Sequence, residues 1–172
     1  MNETIRCAQT AADYAAFARL IREYVDWGRE RYRDQAWFVD KVFGHQSLEQ
    51  ELQALGRAYG PPEGATLLAV SADEVRGAGA WRRLSGEICE MKRVFVPIRF
   101  QGQGLGRRLC QALMDEAGAA GYRVMRLDTG DRLTEAIALY HSLGFRECPP
   151  YHEYPSDLRA HIRFMEVELA QP

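Results

Sequence analysis

Gln101-Gly102-Gln103-Gly104-Leu105-Gly106-Arg107-Arg108 sets three glycines at alternate positions directly before an apolar stripe, Leu105, Leu109, Ala112, Leu113 and Ala117, that recurs at helical spacing. Glycine reaches positive φ without a Cβ penalty, and a helix start offers unpaired N–H donors and a partial positive charge. A phosphate or pyrophosphate is the natural guest of such a turn. Two phosphate loops do not fit it: a Walker A loop needs Lys followed by Ser or Thr, and a dinucleotide fingerprint needs G-x-G-x-x-G spacing. Taken alone, the turn is equally compatible with a merely flexible helix start.

Upstream of the turn, Glu87 to Val96 alternates so that Ile88, Glu90, Lys92, Val94 and Val96 share one face of a strand, ended by Pro97. Thr66 to Val70 and Val75 to Leu84 read as the arms of a hairpin around Asp73-Glu74, and Ser85-Gly86 makes the next turn. Nearer the start, a short apolar stretch at Ile5 to Cys7 precedes a helix carrying Tyr14, Phe17, Ala18, Ile21 and Val25, capped by Thr10 or Asp13 and running to about Arg31. Ser47 opens a second helical stretch with Leu48, Leu52, Leu55 and Tyr59, stopped by Gly60-Pro61-Pro62. Downstream, Gly118 and Gly121 close the helix after the turn, Val124 to Asp128 is a strand, Ile137, Tyr140 and Leu143 mark a helix, and Ile162 to Leu169 is a last strand. Such an order makes a mixed α/β chain with a largely antiparallel first half.

The length of 172 residues suits one domain, 1–172. With 22 basic against 24 acidic side chains and a net charge of −2, the chain lacks the positive field that attracts nucleic acid. Cys7, Cys89, Cys110 and Cys148 form no C-x-x-C pair, and His45, His141, His152 and His161 share no ligand spacing, so neither a disulfide framework nor a metal site is expected. No apolar run approaches the ~20 residues that cross a bilayer, and no apolar signal segment opens the chain, so no membrane partner and a cytoplasmic location are expected.

The Gln-x-x-Gly-x-Gly spacing of Gln101, Gly104 and Gly106 resembles the acetyl-CoA signature of the GNAT superfamily of N-acetyltransferases. The run Ala136-Ile137-Ala138-Leu139-Tyr140-His141-Ser142-Leu143-Gly144-Phe145 is similar to a second family motif, A-I-x-L-Y-x-x-L-G-F. The resemblance covers Glu87 to Phe145; before Glu87 it is architectural only. It implies a GNAT fold of the α/β (α+β) class: a central mixed, mostly antiparallel sheet of about six or seven strands flanked by helices. It further implies that the strand with Val94, Phe95 and Val96 splays from its neighbour near Pro97, freeing backbone donors for the pantetheine arm. Acetyl-CoA is then the acyl donor, with Gln101, Gly102, Gln103, Gly104, Leu105, Gly106 and Arg107 holding it and no metal required. One departure stands out: where the family often has a cofactor-contacting asparagine, this chain has Leu133, leaving Thr134 or Asp131 as replacements.

Acyl transfer to an amine needs a neutral nucleophile, and a lysine-like amine with a pKa of about 10.4 is mostly protonated at neutral pH. Glu90, on the strand before the turn, is the candidate base, and the general-base glutamate of the histone-acetyltransferase branch has the same offset from the motif. Ion pairing to Lys92 or Arg93 competes with that role, and Glu87 could act through water. Tyr140 matches the family's general-acid tyrosine, with core packing beside Ala136 and Leu143 as its alternative. Arg99, Arg107 and Arg108 either screen phosphates or are a solvated charge cluster. Two rival readings keep their place: a non-catalytic CoA-binding sensor, and an interaction domain using Trp27, Tyr32, Trp37, Phe38 and Phe43. The acceptor carries no legible motif; a small-molecule amine is the default, with a protein N-terminus or lysine as alternatives, and the added C-terminal strand leaves room for a homodimer.

Overall fold

Thr10 and Asp13 share the first helix start as a capping box: Thr10 Oγ1 accepts from the Asp13 N–H at 3.2 Å, and the Asp13 carboxylate accepts from the Thr10 N–H at 3.0 Å. The computed structural model describes residues 3–72 and 74–171; Asp73, half of the turn expected at Asp73-Glu74, lies outside them. The strands are β1 (Thr4–Cys7), β2 (Gly64–Ser71), β3 (Glu74–Ser85), β4 (Ile88–Phe95), β5 (Val124–Gly130), β6 (Arg146–Glu147) and β7 (Ile162–Glu168). The helices are α1 (Ala11–Arg31), α2 (Ala36–His45), α3 (Leu48–Leu52), α4 (Leu55–Tyr59), α5 (Leu105–Ala119), α6 (Thr134–Ser142) and α7 (Ser156–Arg159).

All seven strands join one sheet in the order β1-β2-β3-β4-β5-β7-β6. Neighbours are antiparallel except β4 and β5, which run parallel. The helical stretch expected from Ser47 to Tyr59 is broken into α3 and α4 at Gln53 and Ala54. The two-residue β6 carries too short a pattern to be read from sequence, and β7 inserts between β5 and β6 although it follows both in the chain.

Each face of the sheet buries its own core. On one face α5 sets Leu105, Leu109, Cys110, Leu113 and Ala117 against Leu67, Ala69, Trp81, Met91, Met125, Leu127 and Met165. Each fully buried Leu or Met contributes about 1.5–3 kcal/mol before conformational entropy is counted. Gly79 makes this close approach possible, since a Cβ there would meet Leu113 Cδ1 at 2.8 Å and Val94 Cγ2 at 2.9 Å. On the other face α1 to α4 cover Leu68, Ala78, Ala80 and Phe95 with Phe17, Leu20, Ile21, Phe38 and Tyr59.

The single-face pattern expected for β4 fails at Arg93. The pairing steps from Ala80↔Lys92 to Ala78↔Phe95, one residue more on β4 than on β3, and Arg93 takes φ 59°. This β-bulge resets the alternation: Cys89 and Met91 face α5, Glu90 and Lys92 face the opposite side, yet Val94 and Val96 return to the α5 side while Phe95 joins the α1 core. The splay also begins earlier than Pro97, for β4 pairs with β5 only from Ile88↔Val124 to Glu90↔Arg126.

Candidate active site

Beyond Glu90 and Arg126 the two parallel strands part, and β4 from Met91 onward turns one edge of its backbone towards an opening instead of towards a neighbour. That opening belongs to a cleft of about 690 Å³, within the range of small-molecule sites. Val94, Phe95 and Val96 line it together with Gln101, Gly102, Gly104, Leu105, Gly106 and Arg107. Gln103 is exposed and is not part of the wall.

The glycine turn works mainly through its backbone. Gly102 and Gly104 adopt φ 79° and 73°, and Gly104 is the N-cap of α5. The first intrahelical bond runs from the Arg108 N–H to the Gly104 carbonyl at 3.1 Å, so the N–H groups of Leu105 to Arg107 have no helical partner and form an anion cradle. Gln101 acts through its side chain instead. Its Nε2 donates to the Val96 carbonyl at 2.8 Å, tying the turn to the splayed end of β4. Of the three candidate arginines, Arg99 pairs with Glu23 at 2.6 Å and Arg108 with Glu3, which leaves Arg107 on the cleft wall.

Tyr140 on α6 lines the same cleft and packs against Phe145, ring centroids 5.7 Å apart. Burial pushes its phenol well above the ordinary value, with Cys110 adding to the effect, so it keeps its proton at neutral pH. Burial likewise pushes the neighbouring Cys110 thiol up to about 12. Leu133 is buried in the α1 core and lines the cleft with an apolar side chain, at the position where the family resemblance implies a polar residue. Neither suggested replacement reaches the wall: Asp131 accepts from Tyr32 Oη at 3.2 Å and lies 3.0 Å from His161 Nδ1, and Thr134 is exposed beside Arg31.

Glu90 is not offered to the cleft. It is fully buried, and its carboxylate is surrounded: His152 Nε2 lies 2.7 Å and Lys92 Nζ 3.7 Å from Oε1, Tyr151 Oη donates to Oε1 at 3.2 Å, and Arg82 donates to Oε2 through Nε at 3.1 Å and Nη2 at 3.0 Å. Burial by itself would raise its pKa; Lys92, the His152 contact and Arg82 outweigh that and hold the carboxyl well below its usual range. A carboxylate so stabilised, with about four acceptor sites all occupied, is a poor proton acceptor. The competing ion-pair role is the one this geometry favours for Glu90. Lys92 then links Glu90 to Asp128, donating to Oδ1 at 3.1 Å, while Tyr154 Oη donates to Asp128 Oδ2 at 2.7 Å. Gln46 donates to Tyr154 Oη at 2.7 Å and accepts from Arg93 at 2.8 Å, and Arg93 forks onto Glu51 at 2.8 and 3.1 Å.

Ligand atoms of Glu90, Asp128 and His152 lie within 4.8 Å of one another, a grouping suited to a cation. The Lys92 ammonium already sits against both carboxylates. Sequence spacing could not reveal this cluster, because β4, β5 and the 148–161 loop meet only through the sheet. The strand parity of Val124 to Asp128 was the one available signal, and it pointed to Asp128 only once Leu127 was known to face α5.

The sequence profile of the Acetyltransferase (GNAT) family matches residues 19–145. An uncharacterized N-acetyltransferase of Schizosaccharomyces pombe is 32% identical over 174 residues, covering 99% of this chain and 97% of its own length. The crystal structure of a putative acyl-CoA N-acyltransferase from Klebsiella pneumoniae superposes with a TM-score of 0.73 at 27% identity, covering 98% of both chains. The PaiA N-acetyltransferase of Thermoplasma acidophilum, solved in complex with coenzyme A, shares the fold with a TM-score of 0.73 at 16% identity, covering 98% of this chain and 99% of its own.

Proposed function

The chain belongs to the GNAT family of acetyltransferases, and from that premise we propose that residues 1–172 act as one cytoplasmic domain that transfers an acetyl group from acetyl-CoA to a primary amine by direct attack. The observation that carries this reading is the continuity of one cleft from the α5 N–H cradle to the parted edges of β4 and β5, with Tyr140 on its wall. The cradle suits a pyrophosphate, and the splayed β4 backbone at Val94 to Val96 suits an extended amide-bearing arm. Acetyl-CoA supplies an activated thioester carbonyl. Backbone donors aimed at the charge developing on that carbonyl oxygen are worth a few kcal/mol in comparable reactions.

In the transfer the amine nitrogen forms a bond to the acyl carbon, the C–S bond breaks, and the sulfur leaves with the electron pair as a thiolate. Tyr140, protonated at neutral pH, donates its hydrogen bond to that sulfur. The raised phenol pKa makes complete proton transfer costly, so its contribution is stabilisation of the departing thiolate. Cys110 holds its proton too firmly to act as a nucleophile, which favours direct attack over an acyl-enzyme.

The test is thiol release from acetyl-CoA across a panel of amines, run beside calorimetric titration of CoA. Turnover with CoA binding supports the proposal. CoA binding without turnover of any amine favours a CoA sensor, and failure to bind CoA refutes the assignment.

A further inference from the structure

On the α1 and α2 side of the cleft, Tyr24, Trp27, Phe43 and Phe95 form a continuous aromatic wall: ring centroids are 5.4 Å apart for Tyr24 and Phe95, and 6.0 Å for Tyr24 with Trp27, Tyr24 with Phe43, and Trp27 with Phe95. Tyr24, Trp27 and Phe43 are only partly buried and line the cavity. Asp128 lines the same cavity from β5. Each of its oxygens accepts one bond, from Lys92 and from Tyr154, where a carboxylate has about four acceptor sites. Asp128 therefore keeps acceptor capacity that Glu90 has lost. Tyr24 and Tyr140 line the same cleft as Asp128, and burial first, with the Asp128 charge a lesser cause, raises both phenols.

Among the described residues on this side, each cation of the wall is matched by carboxylate: Arg31 by Glu135 at 2.6 Å, Arg93 by Glu51 at 2.8 Å, and Lys92 by both Glu90 and Asp128, at 3.7 and 3.1 Å. An acceptor bearing its own carboxylate would find no unmatched cation there. We propose that the acceptor is a primary amine on a flat apolar body without a carboxylate, seated against Tyr24, Trp27, Phe43 and Phe95, with its ammonium on Asp128. The ammonium sheds one proton to water across the Asp128 contact, which frees the nitrogen lone pair. The second proton, released from nitrogen as the amide forms, goes to the departed CoA thiolate, so that one proton in all is given to water. This inference rests on the acetyl-transfer reading above and assigns its acceptor subsite. Lys92 and Tyr154 are positioning residues that fix the Asp128 carboxylate.

The experiment compares kcat/KM for phenethylamine, L-phenylalanine and ethylamine with acetyl-CoA as donor, and titrates phenethylamine calorimetrically into protein saturated with CoA. Phenethylamine is expected to exceed ethylamine by about tenfold or more, the worth of one good apolar contact, and L-phenylalanine by a similar factor of about ten because that acceptor brings a carboxylate with no unmatched cation to receive it. Asp128→Asn is expected to lower phenethylamine turnover by about 10²-fold or more with CoA affinity unchanged. Because Asp128 also holds Lys92 and Tyr154, a second variant, Trp27→Leu, tests the wall independently: it should raise KM for phenethylamine and leave that for ethylamine as it was. Preference for L-phenylalanine or ethylamine, or undiminished turnover by a folded Asp128→Asn protein, overturns the proposal. So does a CoA-bound protein that neither binds nor acetylates phenethylamine, whereas a protein that fails to bind CoA refutes the acetyl-transfer reading itself.

Discussion

The wall of the cleft proposed to face the cofactor comes largely from one run of chain, Val94 to Arg107, and what it offers a ligand is mostly backbone: the edge of β4 and the open N–H groups of α5. The wall proposed to face the acceptor draws on separate segments, with Tyr24 and Trp27 from α1, Phe43 from α2 and Gln46 just beyond it, Lys92 and Arg93 from β4, Asp128 from β5 and Tyr154 from the 148–161 loop. It works through side chains held in a chain of ion pairs and hydrogen bonds. Backbone donors demand only a conformation, which glycine spacing announces locally. A side-chain network demands that distant segments meet, and no local pattern announces that. The first wall should therefore fail through conformation and bulk, and the second through unbalanced charge.

The largest effect is expected at Gly104. Gly104→Glu forces a side chain into φ 73° and places a negative charge at the mouth of the cradle, so calorimetry should detect no CoA binding while the protein stays folded. Next, Glu90→Gln leaves Arg82 beside a neutral amide and Lys92 with Asp128 alone, and should cost about 3 kcal/mol of stability in chemical denaturation. The sign with pH follows from the depressed pKa of Glu90. Its ionised form contributes stability that is complete above the unfolded value of about 4.3 and is lost as pH falls through the lower folded value. The gap between wild type and Glu90→Gln should accordingly be widest near neutrality and narrow below about pH 4. A gap independent of pH would mean that the ion network is not what Glu90 serves.

Tyr140→Phe should lower kcat by about 10²-fold and spare CoA affinity; unchanged turnover would remove Tyr140 from the chemistry and leave it a packing residue beside Phe145. The smallest effect is expected at Gln101→Ala, which deletes the bond to the Val96 carbonyl at a cost of about 1 kcal/mol. CoA should then bind several-fold more weakly with kcat preserved. A large loss would mean that the Gln101 amide touches the phosphates directly.

Much of the fold was legible because its signals are short-range. The capping box at Thr10 and Asp13, the hairpin of β2 and β3, and the apolar stripe of α5 are each fixed by neighbours within a few residues. The alternation of β4 was misread from Val94 onward because a bulge at a non-glycine residue leaves no sequence mark: Arg93 is held at positive φ while its side chain is clamped by Glu51 and Gln46, 42 and 47 residues away. Glu90 stands out by its chain position, yet its environment is set, beside Lys92 on the same strand, by Arg82, Tyr151 and His152 from elsewhere in the chain.

The sequence by itself determined where a helix with open N–H groups begins: alternating glycines before an amphipathic stripe permit the positive φ that Gly102 and Gly104 adopt, whatever surrounds them. Only the tertiary structure decided which carboxylate faces the cleft. Glu90 and Asp128 are both ordinary side-chain carboxylates in isolation, and what separates them is the number of donors that the folded chain brings to each.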